Sequence, residues 1–324
     1  ITNVSQWLDW YRALDAPAHK QVIDPPKPKP PVAVRPRELS VTRIEKWMQD
    51  PYSIYARYIL NFKTLDPLDA DPGAADKGTI IHDALDDFMT AYADKLPPDA
   101  TARLIESGRV RFENYLDRPQ VRAFWWPRFI HVAEWFVAEE KTRRQTSKTV
   151  ATEITAKKDF DLPGGLFTLT AKADRIDLLA DGSYSIIDYK TGQSPTARAL
   201  YAGYAPQLPL EGLMAEGGNF KGLSAGPVSD LSYWQLKGGE DVAKITTFNV
   251  KSRSKMDVTE VIKASFDGLV RLVTTFDLVD TPYLNNPRPD NLGYGEYDHL
   301  ARTKEWQGND LGDVDPVLKG EETS

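Results

Sequence analysis

The sequence predicts an α/β fold in which a mixed central sheet is flanked by helices, with large helical additions. Helical patterns dominate the chain up to about residue 148. Strand patterns, rich in β-branched and aromatic residues and separated by turn residues, follow up to about residue 250. A long amphipathic helix is then predicted over 258–276. This order of elements is typical of a sheet covered by helices.

A proline-dense stretch near the start divides the chain. Residues 1–36 are predicted to form a short amphipathic helix followed by the run DPPKPKPPVAVRP, whose prolines favour an extended linker or strap. Residues 37–324 are predicted to form the main domain. Within it we expect a helical part over about 37–148, a sheet core over about 149–250, and a C-terminal helix with a closing segment over 251–324.

Composition and charge exclude some classes of protein. A chain of 324 residues with 41% hydrophobic content can bury a sizeable core. No apolar run approaches the roughly 18 residues of a membrane span and no signal peptide begins the chain, so we expect a cytoplasmic protein without a membrane partner. The chain starts at Ile1 without methionine, from which we expect a fragment of a longer protein. A net charge of −7 argues mildly against a freestanding nucleic-acid binder.

The most informative pattern is a predicted hairpin over 171–192, which reads AKADRID in one arm and IDYKTG in the other. Residues 180–182 are predicted to form a three-residue loop in which Gly182 takes the left-handed conformation. With this loop Asp174 lies opposite Asp188, on the same face and with Cβ atoms roughly 5 Å apart. A two-residue turn would shift the register by one and place the two carboxylates on opposite faces.

Two carboxylates at this distance repel each other unless a cation lies between them, and carboxylate oxygens suit Mg²⁺ or Mn²⁺. Lys190 follows Asp188 by two residues and projects to the same side of the strand. A lysine there can hold the attacking water or stabilise charge on a phosphate, as a metal-dependent phosphodiesterase requires. The alternative is an exposed strand with an Asp/Lys pair, which a short motif alone does not exclude.

Further polar residues precede and follow the hairpin. A Gly-x-x-x-His pattern at 78–82 begins a predicted amphipathic helix and places His82 beside its apolar face. Imidazole is a common ligand for a divalent metal, although a helical histidine also serves structural roles. Downstream, Tyr204 and Gln207 lie at the start of another predicted helix, from which a polar side chain can reach the same site.

Taken in order, Gly-x-x-x-His, x-x-Asp-Arg-x-Asp, Asp-Tyr-Lys-Thr-Gly and Gln resemble the RecB-type branch of the PD-(D/E)XK nuclease superfamily. Within that branch the sequence resembles the C-terminal nuclease region of AddB, in an alphaproteobacterial-like form, over about residues 37–306. The resemblance implies the restriction-endonuclease-like PD-(D/E)XK fold and a Mg²⁺-dependent deoxyribonuclease, expected to be an exonuclease. It also implies an AddA-like helicase-nuclease partner, a single-stranded DNA end fed by a helicase, and a role in recombinational repair of double-strand breaks.

The same resemblance assigns roles to individual residues. It implies that His82, Asp174 and Asp188 bind Mg²⁺ or Mn²⁺, with the backbone carbonyl of Tyr189 as a further ligand. Lys190 would be the catalytic lysine. Gln207 matches the glutamine of the family and is included in the predicted catalytic set.

Other residues are predicted to support this site or to contact DNA. Glu153 matches an acidic position often present on the preceding strand, although a glutamate at a solvated sheet edge explains it equally well. Tyr204 is the other supporting candidate. The basic residues predicted to contact phosphates, with ordinary solvated faces as the alternative, are Arg143, Arg144, Lys148 and Lys157.

One departure from the family is informative. Many AddB-type nucleases hold an iron–sulphur cluster with one cysteine before the nuclease core and three after it, whereas this chain has no cysteine. Asp50 and Ala301 stand at two of the matching positions. Thiolate ligation of a cluster by this chain is therefore excluded. We expect the region 47–58 to pack directly against 294–306 through aromatic side chains instead.

Two alternatives to an AddB-type nuclease stay open. One is a catalytically inactive DNA-end-binding or scaffold module, against which the intact Asp174, Asp188 and Lys190 argue. The other is a freestanding DNA-processing nuclease outside any helicase complex, against which the proline-rich lead and the absent start methionine argue.

Overall fold

The structure is a computed structural model that describes residues 4–15, 24–63, 65, 71–249, 256–285 and 295–306. The helices are α1 (Val4–Asp15), α2 (Val41–Gln49), α3 (Pro51–Ile54), α4 (Ala74–Ala91), α5 (Ala100–Phe112), α6 (Trp126–Arg143), α7 (Ala197–Tyr201), α8 (Gln207–Glu216), α9 (Val258–Asp277) and α10 (Thr303–Trp306). The strands are β1 (Glu38–Ser40), β2 (Ser147–Leu162), β3 (Gly165–Leu179), β4 (Tyr184–Lys190), β5 (Val228–Leu236) and β6 (Ala243–Asn249).

The strands form one mixed sheet, which confirms the predicted α/β fold. The order is β1-β3-β4-β5-β6, and β2 pairs with β3 along its other edge. The β1–β3 and β4–β5 pairs are parallel, and the remaining pairs are antiparallel. Strand β3 is long enough to pair with β1 near its start and with β4 near its end.

The hairpin between β3 and β4 has the register that the sequence predicts. The amide of Leu179 donates a hydrogen bond to the carbonyl of Ser183 at 2.8 Å, and Arg175 lies opposite Ile187. Gly182 has a φ of +83°, a conformation that only glycine adopts without steric cost. The three-residue loop is confirmed, and the register that would separate the two carboxylates does not occur.

Helices cover both faces of the sheet and enclose two apolar cores. Ile187 and Trp234 pack in one core with α4, α5 and α6. Ile186 and Tyr233 pack in the other core with α2, α8 and α9. Because successive side chains of a strand point to opposite faces, these two cores lie on opposite sides of the sheet. Strand β4 is buried on both faces, so its two central isoleucines pack in different cores and its polar residues Ser185 and Asp188 are buried as well.

The region 47–58 packs against the described part of the region 294–306, as the missing cysteines predict. Tyr52 and Ala56 form a small buried cluster with Tyr297 and Ala301. The hydroxyl of Tyr297 also donates a hydrogen bond to the carbonyl of Phe62 at 2.8 Å. The prediction is thereby confirmed for the residues that the structure describes.

Both positions that replace family cysteines face this junction. Ala301 is fully buried, and Asp50 is buried with its carboxylate next to the closing segment, 3.5 Å from where a Cβ of Gly295 would lie. Tyr294, the first residue of the predicted contact region, lies outside the described residues. None of the helices in the described ranges is both long and apolar enough to cross a membrane.

Candidate active site

The two carboxylates of the hairpin, Asp174 and Asp188, lie where β3 and β4 part. The antiparallel ladder ends at the pair Arg175 and Ile187, one residue before Asp174 and Asp188. Beyond that point the backbone amide of Tyr189 donates a hydrogen bond to Oδ2 of Asp174 at 2.7 Å. The side chain of Asp174 thus accepts the hydrogen bond that a backbone carbonyl of β3 would accept in a continuous ladder. Its other oxygen, Oδ1, lies at the opening between the strands.

Three possible metal ligands converge at this opening. Nδ1 of His82, on α4, lies 3.5 Å from Oδ1 of Asp174. One ligand atom each from His82, Glu153 and Asp174 lies within 4.8 Å of the other two, and all three residues are partly exposed. An imidazole nitrogen and two carboxylates so close together, and reachable from solvent, fit a divalent cation such as Mg²⁺ or Mn²⁺.

Glu153 reaches this group through an unusual backbone conformation. Its neighbours in β2 pair with the neighbours of Asp174 in β3, so the two acidic residues lie level with each other. Glu153 has a φ of +47°, a left-handed conformation that costs a residue other than glycine about 1–3 kcal/mol. Such strain is typical of functional sites. No sequence pattern predicted this conformation, because glutamate has no preference for it.

The electrostatics of the three residues are those of a cation site. Burial disfavours the charged form of His82, but the hydrogen bond and charge of Asp174, aided by Asp188 and Glu153, outweigh it and raise its pKa. Burial raises the pKa of Glu153, although the ion pair with Lys172 opposes this shift. A divalent cation would relieve the repulsion among these carboxylates.

Asp188 lies deeper and has different partners. It is only 2% exposed, and its Oδ1 accepts hydrogen bonds from Nε2 of Gln207 at 2.5 Å and Nζ of Lys190 at 3.0 Å. Burial, followed by the negative charge of Asp174, raises its pKa to about 6. Asp188 therefore interacts electrostatically with Asp174 and His82 but lies outside the three-residue group. The sequence predicted Asp188 as the third ligand beside His82 and Asp174, whereas the third member of the convergent group is Glu153.

Gln207 and Glu211 belong to α8, which covers the face of the sheet opposite to α4, the helix that carries His82. The carbonyl Oε1 of Gln207 accepts a hydrogen bond from Nζ of Lys190 at 3.1 Å. Its Nε2 donates to Asp188 and also to Oε1 of Glu211 at 3.2 Å. Glu211 was not among the residues predicted from the sequence. The available signal was a glutamate four residues after a site glutamine in a predicted apolar helix, since residues at this spacing are neighbours on a helix.

The two tyrosines of the predicted site differ in environment. The ring of Tyr189 is buried and makes edge-on contacts with His82, at 5.8 Å between centroids, and with Phe136, at 6.0 Å. Its side chain therefore supports the histidine, while its backbone amide holds Asp174. Tyr204 precedes α8 and is about half exposed.

Two of the predicted DNA-contacting residues point into the protein. Nε of Arg143 lies 2.5 Å from Oδ2 of the buried Asp177, and its Nη2 donates to Ser185 at 2.8 Å. Nε of Arg144 donates to the buried Glu140 at 2.8 Å. These arginines join α6 to its neighbours, so a role in binding phosphates does not fit their placement. In the sequence the two arginines resemble a solvated basic run. The acidic partner of Arg143 lies 34 residues later in the chain, and that of Arg144 lies one helical turn earlier, so neither pairing is evident from adjacent residues.

The other two predicted DNA contacts are on the surface. The ammonium group of Lys148 lies 3.9 Å from Asp94, and that of Lys157 lies 3.2 Å from Glu38. Both lysine side chains are more than half exposed. Exposed pairs of this kind contribute little to stability, so both lysines are available to a phosphate ligand.

A mixed sheet with helices on both faces, carrying a histidine, three acidic residues and a lysine where two strands part, is an arrangement that fits a metal-dependent phosphodiesterase. A family model described as the PD-(D/E)XK nuclease superfamily matches residues 38–274, which is most of the chain. The chain therefore belongs to the PD-(D/E)XK nuclease superfamily, and membership indicates a metal-dependent nuclease.

Relatives of this chain include proteins of Rickettsia. An uncharacterized protein of Rickettsia bellii is 27% identical over 248 residues, which cover 74% of this chain and 29% of that protein. The uncharacterized protein RT0391 of Rickettsia typhi is 30% identical over 203 residues, which cover 61% of this chain and 24% of that protein. The chain thus spans less than a third of the length of these relatives. The crystal structure of SSO0001 aligns with 50% of this chain and 70% of that chain, at 16% identity and a TM-score of 0.23.

Proposed function

We propose that this protein is a deoxyribonuclease that hydrolyses phosphodiester bonds with the help of Mg²⁺ or Mn²⁺. The observation that carries the proposal is the convergence of ligand atoms of His82, Glu153 and Asp174 within 4.8 Å, next to the ion pair between the buried Asp188 and the partly exposed Lys190. A histidine and carboxylates alone would fit many metalloproteins. The added lysine, held beside the carboxylates, fits chemistry on a phosphate.

The ligand set of the metal is proposed to include the three convergent residues, with Asp188 and the backbone carbonyl of Tyr189 as further ligands. When bound, the metal would polarise the phosphate and lower the pKa of a water molecule. Contacts within the protein hold two of these ligands in place. The amide of Tyr189 orients Asp174, and the ring of Tyr189 packs against His82.

Lys190 acts as a cation and hydrogen-bond donor. Burial alone would lower its pKa, but the charge and hydrogen bond of Asp188 outweigh burial and raise it. The side chain is therefore protonated at neutral pH and cannot accept the proton of the attacking water. Instead it can donate a hydrogen bond to that water or to a phosphate oxygen on which negative charge develops.

A pair of cations beside the site supports a nucleic-acid substrate. Burial lowers the pKa of Lys77, and the nearby charge of Arg128 lowers it further. Within the described part of the chain, neither residue forms an ion pair with a carboxylate. Two like charges without a counter-ion favour the binding of an anion, and DNA supplies phosphates.

These two cations lie near the catalytic residues because of how their helices meet the sheet. Gly78, next to Lys77, lies so close to the residue after Lys190 that a Cβ there would be 3.3 Å from Oγ1 of Thr191. The carbonyl of Arg128 lies against Gly238, in the loop after β5. Strands β4 and β5 are parallel and end at the same edge of the sheet.

We further propose that the protein is the nuclease module of an AddA–AddB type helicase-nuclease in the cytoplasm. It would act as an exonuclease on a single-stranded DNA end supplied by an AddA-like subunit, in the recombinational repair of double-strand breaks. The order of the sequence motifs supports this assignment. The relatives, which are more than three times as long as the matched region, have room for the other domains that such a complex requires.

The test is a cleavage assay on end-labelled single-stranded and double-stranded DNA, with Mg²⁺, with Mn²⁺ and with EDTA. We expect cleavage of single-stranded ends that needs a metal and is lost in Asp174→Asn. Binding of DNA ends without any cleavage would instead identify an inactive scaffold module. Cleavage that is unaffected by addition of an AddA-like subunit would favour a freestanding nuclease.

A further inference from the structure

Glu211 is the most deeply buried acidic residue of the site region and has no assigned role. Its exposed fraction is 0%, and it lies on α8 one turn after Gln207. Its Oε1 accepts a hydrogen bond from Nε2 of Gln207 at 3.2 Å, and its Oε2 has no hydrogen-bond partner among the described residues. A buried carboxyl group that is only partly satisfied destabilises a protein, so its presence suggests a function.

The hydrogen-bond partners of Gln207 determine which way its side-chain amide is oriented. Lys190 can only donate hydrogen bonds, so the side of the amide that faces it must be the carbonyl oxygen. Asp188 and Glu211 lie on the other side and accept from the amide nitrogen. If the amide rotated by half a turn, its oxygen would meet two carboxyl oxygens and its nitrogen would meet an ammonium group. Glu211 supplies the second of the two acceptors that oppose this rotation.

We propose that Glu211 is a positioning residue that fixes the amide of Gln207 and, through it, the relative placement of Asp188 and Lys190. This inference rests on the proposed nuclease function, for which Lys190 must keep its position beside the carboxylates. Glu211 touches neither of these two residues by a hydrogen bond, so its influence passes through the amide.

The role requires an acceptor oxygen and not a negative charge. Burial, with the charges of Asp188 and Asp174, raises the pKa of Glu211 well above its usual range. The hydrogen bond that Gln207 donates to Oε1 of Glu211 is the contact that carries this role. Glutamine at position 211 offers the same oxygen in a side chain of the same length, whereas leucine offers none.

The experiment compares Glu211→Gln, Glu211→Leu, Gln207→Leu and the double variant of the two leucine substitutions in the full chain. Glu216→Leu, on the same helix but away from the site, is the matched control. We expect Glu211→Gln to stay within about threefold of the parent, and Glu211→Leu to lower kcat by about 10–100-fold, the range for partners of directly acting groups. KM for DNA and the thermal midpoint should change little.

The double variant separates positioning from general packing. If Glu211 acts through Gln207, the double variant should cleave no more slowly than Gln207→Leu alone, because the amide it would position is gone. Multiplied effects of the two substitutions, full activity of Glu211→Leu, or equal damage by Glu211→Gln would each overturn the inference. If Glu211→Leu does not fold, Glu211→Met carries the same comparison with a side chain of similar length.

A second readout does not depend on activity. In the metal-free protein, the side-chain amide protons of Gln207, identified by their loss in Gln207→Leu, should exchange slowly in the parent and in Glu211→Gln. They should exchange faster in Glu211→Leu, and unchanged exchange there would reject the inference. A parent without cleavage but with this pattern would reject the proposed nuclease function and leave the positioning role intact.

Discussion

The backbone amide of Tyr189 donates a hydrogen bond to Oδ2 of Asp174, 2.7 Å away, at the point where β3 and β4 part. This bond uses one carboxylate oxygen to hold the second strand and leaves the other oxygen 3.5 Å from His82. The proposed metal site thus lies at the end of the β3–β4 ladder, where one oxygen of Asp174 accepts a backbone hydrogen bond and the other can bind a cation.

We expect Asp174→Asn to lose metal binding and cleavage together, although the asparagine oxygen can still accept the bond from Tyr189. The loss of charge should weaken Mn²⁺ affinity by at least about tenfold, since even partners of metal ligands affect affinity to that extent. Titration calorimetry with Mn²⁺ measures this directly. The control is Asp181→Asn in the hairpin loop, and equal affinity of the two variants would remove Asp174 from the site.

Lys190→Ala should abolish cleavage and leave metal binding largely intact, whereas Asp188→Ala should lose both. Removal of one preorganised electrostatic group typically slows a reaction at least about a hundredfold. The rates come from single-turnover cleavage of labelled DNA and the affinities from calorimetry. Lys221→Ala, at an exposed lysine, is the control. Near-normal cleavage by the Lys190 variant would rule out this catalytic arrangement.

Two substitutions of Glu153 separate its ligand role from its backbone strain. Both Glu153→Ala and Glu153→Gly should weaken Mn²⁺ binding, because each removes a carboxylate from the convergent group. The glycine variant should nevertheless be the more stable by about 1 kcal/mol, because glycine adopts a φ of +47° without the penalty that alanine has. Thermal unfolding decides this, and a less stable glycine variant would contradict the strain.

Asp177→Ala should destabilise the protein without acting on the metal. Its carboxylate pairs with Arg143 and with the buried Arg175, so the substitution leaves Arg143 without this partner and leaves Arg175 with Glu140 as its remaining buried counter-ion. Breaking a buried pair in this way costs about 3–5 kcal/mol of unfolding free energy. Urea unfolding is the measurement, with Asp267→Ala, at an exposed position of α9, as control. A change below about 1 kcal/mol would show that the buried network is dispensable.

Lys77→Gln and Arg128→Gln should each weaken the binding of single-stranded DNA in the inactive Asp174→Asn background. Each removed phosphate contact should also lower the slope of log Kd against log salt by about 0.7. Fluorescence anisotropy over a range of salt concentrations gives both quantities. Lys221→Gln should change neither, and an unchanged slope for the first two variants would remove this pair from the DNA path.

The sequence by itself determined the parts of the protein that depend on local pattern. The loop at 180–182 fixes the register of β3 and β4, and with it the approach of Asp174 to Asp188. Strand alternation places Lys190 on the side of Asp188, where the two side chains form an ion pair. The absence of cysteine predicted a packed junction between the two ends of the core, which the buried cluster of Tyr52, Ala56, Tyr297 and Ala301 provides.

Only the tertiary structure decided which residues from distant segments meet. Glu153 joins the metal group because β2 lies level with β3 and its own backbone turns to a positive φ, which no pattern of neighbours encodes. Arg143 points inward because a carboxylate 34 residues later in the chain is buried beneath it. Glu211 faces Gln207 inside a helix that is buried nearly all round, where hydrophobic periodicity marks no face. Spacing in a sequence determines direction within one element, whereas distances between elements follow from how their side chains pack.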